Sequence, residues 1–339
     1  MNGIKNVIVI GASAGGFKAI IQLIEKIPDN IPAAIFVVMH LGKQSMPEII
    51  VQHVGKITNF ICSIPTDGDE IKAGHLYVAP KDSHMLVTRR AIHITKGPHD
   101  NRWRPSIDIL FRSAAAAYDS RVIGIVLSGM MDDGTSGMSA IKRNGGVCIV
   151  QEPSEADFPD MPRNVLNKVD VNYQVSINDI SYILDDLFAK PEGPMYVIPK
   201  DIKIEAQIAQ GMISSVNDLK KIGEQSDFTC PECGGSLFAM HNDNTYGYRC
   251  FTGHTYNEKL LVETQAEALE ESLWVCICML EERKGLLRKV ADHEGEDGQT
   301  DNALQSLKIS EDIVQHIERL KALLVTMSKK GDIAMDDKV

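Results

Sequence analysis

The sequence predicts an α/β protein whose first part is a doubly wound, mostly parallel sheet with helices on both faces. Three observations carry that expectation. Short, fully apolar, β-branched runs recur at residues 7–10, 33–39, 122–127 and 147–151. Between them lie segments with helical periodicity. The runs lack polar alternation, which is the pattern of strands buried on both faces.

The elements follow in order. Residues 7–10 form a first strand that ends at Gly11, and a helix covers 17–27 and is closed by Pro28. The run 33–39 is a second strand ending at His40, and a helix begins near Met46 and Pro47. Residues 76–79 and 85–88 read as an antiparallel hairpin across Pro80, Lys81 and Asp82. Residues 107–118 are alanine-rich and helical, 122–127 form a third buried strand, 134–143 a helix and 147–151 another strand. In open sheets of this kind, sites lie beyond the carboxyl ends of the strands. Ser13, His40 and the stretch 128–133 all fall there.

The second part changes character. Residues 190–203 carry three prolines and read as a linker, followed by a short helix over 205–222. A cysteine-containing module occupies 228–256. Residues 257–291 carry an apolar stripe through Val262, Ala266, Leu269, Leu273, Ile277, Leu280 and Leu287, and 303–325 carry another through Leu307, Ile313, Ile317, Leu320 and Leu324. With a polar loop at 292–302, they predict an antiparallel helical hairpin. The expected organisation is a catalytic domain over 1–189, a linker and short helix over 190–227, a zinc-ribbon-like module over 228–256 and a helical hairpin over 257–328.

Composition narrows the function. The net charge of −11 argues against a nucleic-acid binder. Residues 1–190 are nearly balanced, with 19 basic and 20 acidic side chains, so the excess negative charge sits in the second part. No run of eighteen apolar residues exists, so no membrane insertion is expected. The seven cysteines are odd in number and scattered, which points to a reducing, cytoplasmic setting. Cys276 and Cys278 read as packing residues of the long helix.

The chemistry centres on Ser13. Gly11-Ala12-Ser13-Ala14-Gly15 fits G-x-S-x-G between a strand and a helix. Small residues let the backbone turn sharply there, and the helix start offers N–H donors to an oxyanion. The bland alternative is a phosphate loop that contains a serine. Against it, Ser13 occupies the middle-glycine position of G-x-G-x-x-G, and Phe17 stands where a phosphate-binding lysine would follow. A serine needs a base and an orienting acid. His40 ends the next strand, and Asp132 and Asp133 follow the third.

A second constellation is Cys230-x2-Cys233 followed by Cys250-x3-His254. Two chelating pairs with no open position favour a structural zinc, with His241 as an alternative fourth ligand. A module of roughly thirty residues has too little core to fold unaided, so a metal has a physical role. The plain alternative is a set of reduced, metal-free cysteines in a small hairpin.

GASAGG with Ser13, VVMH with His40, YVAPKDSH, RPSIDILFRSAA and LSGMMDDGTSGMSAIKRNGG keep one order along residues 4–187. In that order they resemble the catalytic domain of the CheB-type protein-glutamate methylesterases. The resemblance implies a Ser-His-Asp triad with Ser13 as nucleophile, His40 as base, Asp133 rather than Asp132 as acid, and the Met130 backbone N–H at the oxyanion. It implies demethylation of glutamate methyl esters on chemoreceptor cytoplasmic helices with release of methanol, glutamine deamidation at the same site, and no catalytic cofactor. A separate response regulator or methyltransferase would be a partner.

The sequence departs from the family pattern in Ala14, where threonine is usual, and in LGKQSM after His40. It opens on the first catalytic strand, so a receiver domain and control by phosphorylation within the chain are not expected. Arg102, Arg104 and Arg112 are candidates for meeting acidic receptor helices, with surface salt bridges as the plain alternative. Two competing functions remain open at this level. One is hydrolysis of another ester in a different signalling pathway; the other is a non-catalytic signalling scaffold.

Overall fold

The structure is a computed structural model that describes residues 4–28, 31–40, 46–190, 197–212, 214–242 and 245–333, with the side chains of 241–246 and 328–333 outside that description. The chain divides into two compact units, residues 1–260 and 261–339.

The first unit is built on a seven-stranded parallel sheet in the order β3-β4-β2-β1-β7-β8-β9. Its strands are β1 (Asn6–Ala12), β2 (Ala33–Met39), β3 (Ile61–Ser63), β4 (His75–Val78), β7 (Val122–Val126), β8 (Val147–Gln151) and β9 (Tyr173–Val175). The predicted doubly wound sheet is therefore present. Alternate residues of β1 explain the two layers. Val7 and Val9 face a core shared with α3 (Ile107–Tyr118), α4 (Thr135–Arg143) and α5 (Asp160–Lys168). Ile8 and Ile10 face the opposite core with α1 (Gly16–Ile24), α2 (Pro47–Ile57) and α6 (Ile177–Ala189). All four side chains are fully buried, so β1 has no polar face to show.

The antiparallel hairpin exists, but its strands differ from those expected. β4 is apolar on both faces and joins the parallel sheet beside β2. The hairpin is β5 (His84–Val87) with β6 (Ile92–Thr95), turning where Thr88 N–H donates to Ala91 O at 3.0 Å.

Close packing of α3 on α4 depends on Gly137. A methyl there would stand 2.4 Å from Phe111 Cβ and 3.2 Å from the Asp108 backbone. Gly137→Ala is expected to destabilise the protein by about 1–3 kcal/mol through forced displacement of α4. Urea denaturation checks this, with a lowered midpoint at unchanged slope.

The stretch read as one short helix is two. α7 (Lys200–Gly211) ends at Met212, whose φ of 61° leaves the helical region, and Ser215 caps α8 (Val216–Leu219). The cysteine module is a four-stranded antiparallel sheet of β10 (Gly223–Thr229), β11 (Ser236–Asn242), β12 (Thr245–Cys250) and β13 (Thr255–Asn257). Phe238 and Met240 pack on Ile208, Leu219 and Ile222, so α7 and α8 supply the apolar cover that the strands lack.

The second unit is a helical hairpin of α9 (Glu258–Glu296) and α10 (Thr300–Ile333). Ile277 packs with Ile313, Ile317 and Leu324, joined by Leu273, Leu280, Leu287 and Leu320, whereas Val262, Ala266, Leu269 and Leu307, expected on the same stripes, are exposed. The polar stretch expected to be a loop is helical as far as Glu296, because charged side chains on a solvated helix cost nothing in burial. Cys276 and Cys278 are exposed and not packing residues, since they flank Ile277 and point away from the stripe. No helix among the described residues is long and apolar enough to cross a membrane.

Candidate active site and a cysteine-histidine cluster

β1 leads into the Ser13 turn. Gly15 has φ 69°, a left-handed conformation that glycine adopts without strain, and it starts α1. Two bonds tie this turn to the end of β7. Ser13 N–H donates to Ser128 O at 3.0 Å, and Ser128 Oγ donates to Ala14 O at 2.8 Å. His40 follows β2, the neighbour of β1, and its N–H donates to Ala12 O at 3.1 Å. Adjacent parallel strands ending at one level thus place the two side chains together. His40 Nδ1 lies 3.2 Å from Ser13 Oγ, and His40 Nε2 lies 2.7 Å from Asp133 Oδ2. The half-buried serine, the buried imidazole and the buried carboxylate form a continuous chain.

Asp133 is held more firmly than its neighbour. Its Oδ2 also accepts from Ile107 N–H at 2.8 Å; its Oδ1 accepts from Asp108 N–H at 3.0 Å and from Ser106 Oγ at 3.2 Å. The carboxylate therefore sits on the N-terminus of α3, where free amides and the helix dipole favour a negative charge. Burial alone would raise its pKa. The bond from His40 and the α3 amides outweigh that and hold it below the ordinary carboxylate range. With Asp133 ionised, Nε2 carries the imidazole proton and Nδ1 is left to accept from the serine. Ser106, the α3 cap, is fixed in turn by His84, whose Nδ1 accepts from Ser106 N–H at 3.2 Å and whose Nε2 donates to Pro98 O at 2.9 Å. Burial lowers the His84 pKa and keeps that ring neutral.

Asp132 points elsewhere. Asn257 Nδ2 donates to both of its oxygens, at 3.0 and 2.8 Å, and Lys168 is 3.9 Å away. Buried Asp108 is pushed well above its ordinary pKa, by burial first and by Asp133 second.

Met130 follows a braced loop. Gly129 N–H donates to Phe158 O and Met161 N–H donates to Gly129 O, both at 2.9 Å, while Asn164 Nδ2 holds Met131 O at 2.7 Å. Among the described residues, neither the Met130 nor the Ala14 N–H has a backbone acceptor.

One contact at the site was not legible in the sequence. Trp103 stacks on the His40 imidazole with ring centroids 3.7 Å apart and planes 6° from parallel. Of the three arginines expected to meet a receptor, Arg112 is buried and ion-paired with Asp100 and with Glu205, the latter at 3.4 Å, so it cannot reach a partner. Arg104 is committed to Asp82 at 2.6 Å and to Gly97 O. Arg102 is exposed. Residues 41–45, which hold most of the departing stretch after His40, lie outside the described residues.

The four predicted metal ligands converge. Ligand atoms of Cys230, Cys233, Cys250 and His254 all lie within 4.8 Å of one another. The two pairs sit on matching knuckles between β10 and β11 and between β12 and β13. Cys233 Sγ is 3.7 Å from Cys250 Sγ, and His254 Nδ1 is 3.6 and 3.5 Å from the sulfurs of Cys230 and Cys250. Tetrahedral zinc with ordinary bond lengths sets such edges at about 3.8 Å between sulfurs and about 3.6 Å between sulfur and nitrogen. Glu232 receives the outer nitrogen of His254 at 3.2 Å, the usual support for a ligating imidazole. The residues fit the metal. The His241 side chain lies outside the described residues.

Comparison with known proteins bears on the first half of the chain. The family model described as CheB methylesterase matches residues 8–184. A Leptospira interrogans protein named for protein-glutamate methylesterase and protein-glutamine glutaminase activities is 35% identical over 175 residues, covering 51% of this chain and 90% of that one. The Salmonella typhimurium protein-glutamate methylesterase/protein-glutamine glutaminase is 34% identical over 185 residues, covering 52% of this chain and 51% of its own length. The Thermotoga maritima CheB methylesterase catalytic domain superposes with a TM-score of 0.52 at 28% identity, over 54% of this chain and 98% of that domain. The chain belongs to the CheB methylesterase family.

Proposed function

We propose that this chain is a serine hydrolase that demethylates glutamate γ-methyl esters on the cytoplasmic helices of chemoreceptors, and that it deamidates glutamine side chains at the same site. The observation that carries the reading is the unbroken path from Ser13 Oγ through His40 to Asp133, at 3.2 and 2.7 Å. Names of the relatives supply the substrate class.

In this mechanism Ser13 Oγ adds to the ester carbonyl as His40 Nδ1 takes its proton. Asp133 stabilises the imidazolium across Nε2. The tetrahedral oxyanion is met by the Met130 and Ala14 N–H groups. His40 then protonates the departing methoxide, and methanol leaves an acyl-enzyme. Water, activated by the same imidazole, releases glutamate and restores Ser13. For a glutamine the leaving group is ammonia. No step needs a cofactor. The reaction is placed in the cytoplasm, where a methyltransferase supplies the ester and a response regulator is a candidate partner.

The test is methanol release from methylated receptor membranes, together with labelling of Ser13 by an alkyl phosphonate. Labelling without methanol release would point to a different ester. Absence of both would leave only a scaffold.

Cys230, Cys233, Cys250 and His254 are proposed to hold one structural zinc. Purified protein is expected to carry about one zinc per chain, and the Cys230→Ser/Cys233→Ser variant essentially none, as read by elemental analysis. Equal metal content in the two proteins would refute the site.

A further inference from the structure

We propose that the zinc-held sheet is a clamp on the catalytic histidine, acting through Trp103 as a positioning residue. The inference rests on the reading of Ser13, His40 and Asp133 as the hydrolytic site.

Trp103 closes a tight turn. Trp103 N–H donates to Asp100 O at 2.9 Å and Asp100 N–H donates back to Trp103 O at 3.2 Å. Asn101 and Arg102 both have positive φ, 47° and 69°, so the turn is a strained one for non-glycine residues. Something must hold it. The Arg112–Asp100 ion pair and the Asn101 Nδ2 contact to Asp108 hold it from the α3 side, and Thr255, the residue after the ligand His254, holds it from the cysteine module: Asn101 N–H lies 3.1 Å from Thr255 Oγ1 and 3.3 Å from Thr255 O. Asp100 also bridges Thr255 as a parallel β-partner. Beneath this contact Arg249 of β12 is buried close to Asp100 and Glu205, the ion-pair partners of Arg112.

A short physical path therefore runs from metal ligand to base: His254, Thr255, the 100–103 turn, Trp103, His40. β13 has only three residues, and its position depends on the knuckle that precedes it. Without the metal the knuckle loses its cross-link, the turn loses its support on the Thr255 side and keeps only the Arg112–Asp100 side, and the indole is less firmly held on the imidazole. Stacking fixes the ring plane of His40, which Asp133 holds at one edge only. Trp103 acts through the imidazole ring on which it stacks; it sets the angle at which Nδ1 meets Ser13.

Trp103 and Trp274 are the two tryptophans of the chain, so Trp274→Phe leaves Trp103 as the sole tryptophan, read by excitation at wavelengths that tyrosine does not absorb. Face-to-face packing on the His40 ring shields the indole from water. In the zinc-loaded Trp274→Phe protein, emission is expected to lie to the blue, and His40→Ala should shift it to the red. Removing zinc with a chelator should shift it to the red too. Thr255→Val, which deletes one acceptor without touching a metal ligand, should do the same to a smaller extent. Trp103→Ala should lower kcat for methanol release by roughly three- to tenfold with KM unchanged. Zinc removal should then cost the Trp103→Ala protein less than it costs the wild type.

The proposal is overturned if zinc leaves and Trp103 emission does not change, or if zinc loss lowers kcat by the same factor with and without Trp103. Persistence of turnover in Ser13→Ala would instead refute the hydrolytic reading, while the emission measurements would still report on the clamp.

Discussion

Ser13→Ala is expected to lower methanol release from methylated receptor membranes by about 10⁴-fold or more, because triad members act as a unit and the loss of one removes most of what all three provide. Phosphonate labelling should vanish with it. The fold should survive: the Ser13 side chain is half-buried, and its hydroxyl bonds only to His40 among the described residues. The Ser13 N–H to Ser128 O bond belongs to the backbone and is untouched. A variant that unfolds at the wild-type denaturant midpoint yet has lost nearly all methanol release separates loss of chemistry from loss of structure. Residual turnover should come from the Met130 and Ala14 amides, which can still polarise an ester carbonyl toward water. Turnover within tenfold of wild type would end the assignment of Ser13 as nucleophile.

The sequence carried the triad further than it carried its surroundings. Strand ends are legible because a buried parallel strand must be apolar throughout, so the first polar residue beyond it marks the rim of the sheet. Ser13 and His40 are found that way. Asp132 and Asp133 are not distinguishable by the same logic, since both follow β7; only the family resemblance preferred Asp133. The physical difference is tertiary. One aspartate meets the amides at the start of α3, and the other meets Asn257. Trp103 was invisible for a similar reason: its turn is held by Thr255, and Asn101 and Thr255 are 154 residues apart. β3 and β9 are three-residue edge strands, too short for any periodicity to show. The hairpin differs from its sequence pattern because two apolar runs around Pro80 look alike, whereas one is buried on both faces inside the parallel sheet and the other pairs across Arg89 and Arg90. The cysteine-histidine cluster is legible because chelate spacing is local, while the strands, α7 and α8 around it complete a core that no local pattern describes.

Asp133→Asn tests the electrostatic half of the site. Both oxygens of Asp133 accept hydrogen bonds, from His40 and Ile107 on one side and from Asp108 and Ser106 on the other. An asparagine has one acceptor end and one donor end. If its NH₂ faces His40, the imidazole must carry its proton on Nδ1, and that nitrogen can no longer accept from Ser13. If its NH₂ faces Asp108 instead, it opposes an amide that cannot turn away, at about 1–3 kcal/mol for the buried donor left unpaired. Either way the negative charge that stabilises the imidazolium is gone. A fall in kcat of about 10⁴-fold is expected, as for loss of the orienting charge in other serine triads. The stability cost should be smaller than the lost bonds suggest, because Asp108, buried beside Asp133, is relieved of a like charge. The joint expectation is a protein that unfolds only slightly earlier in urea and is nearly inactive. Asp132→Asn should keep turnover within a few-fold of wild type, since Asp132 meets Asn257 and Lys168 and not the imidazole. If the two variants exchanged these outcomes, the acid of the triad would be Asp132 and the α3 amides would hold a structural carboxylate.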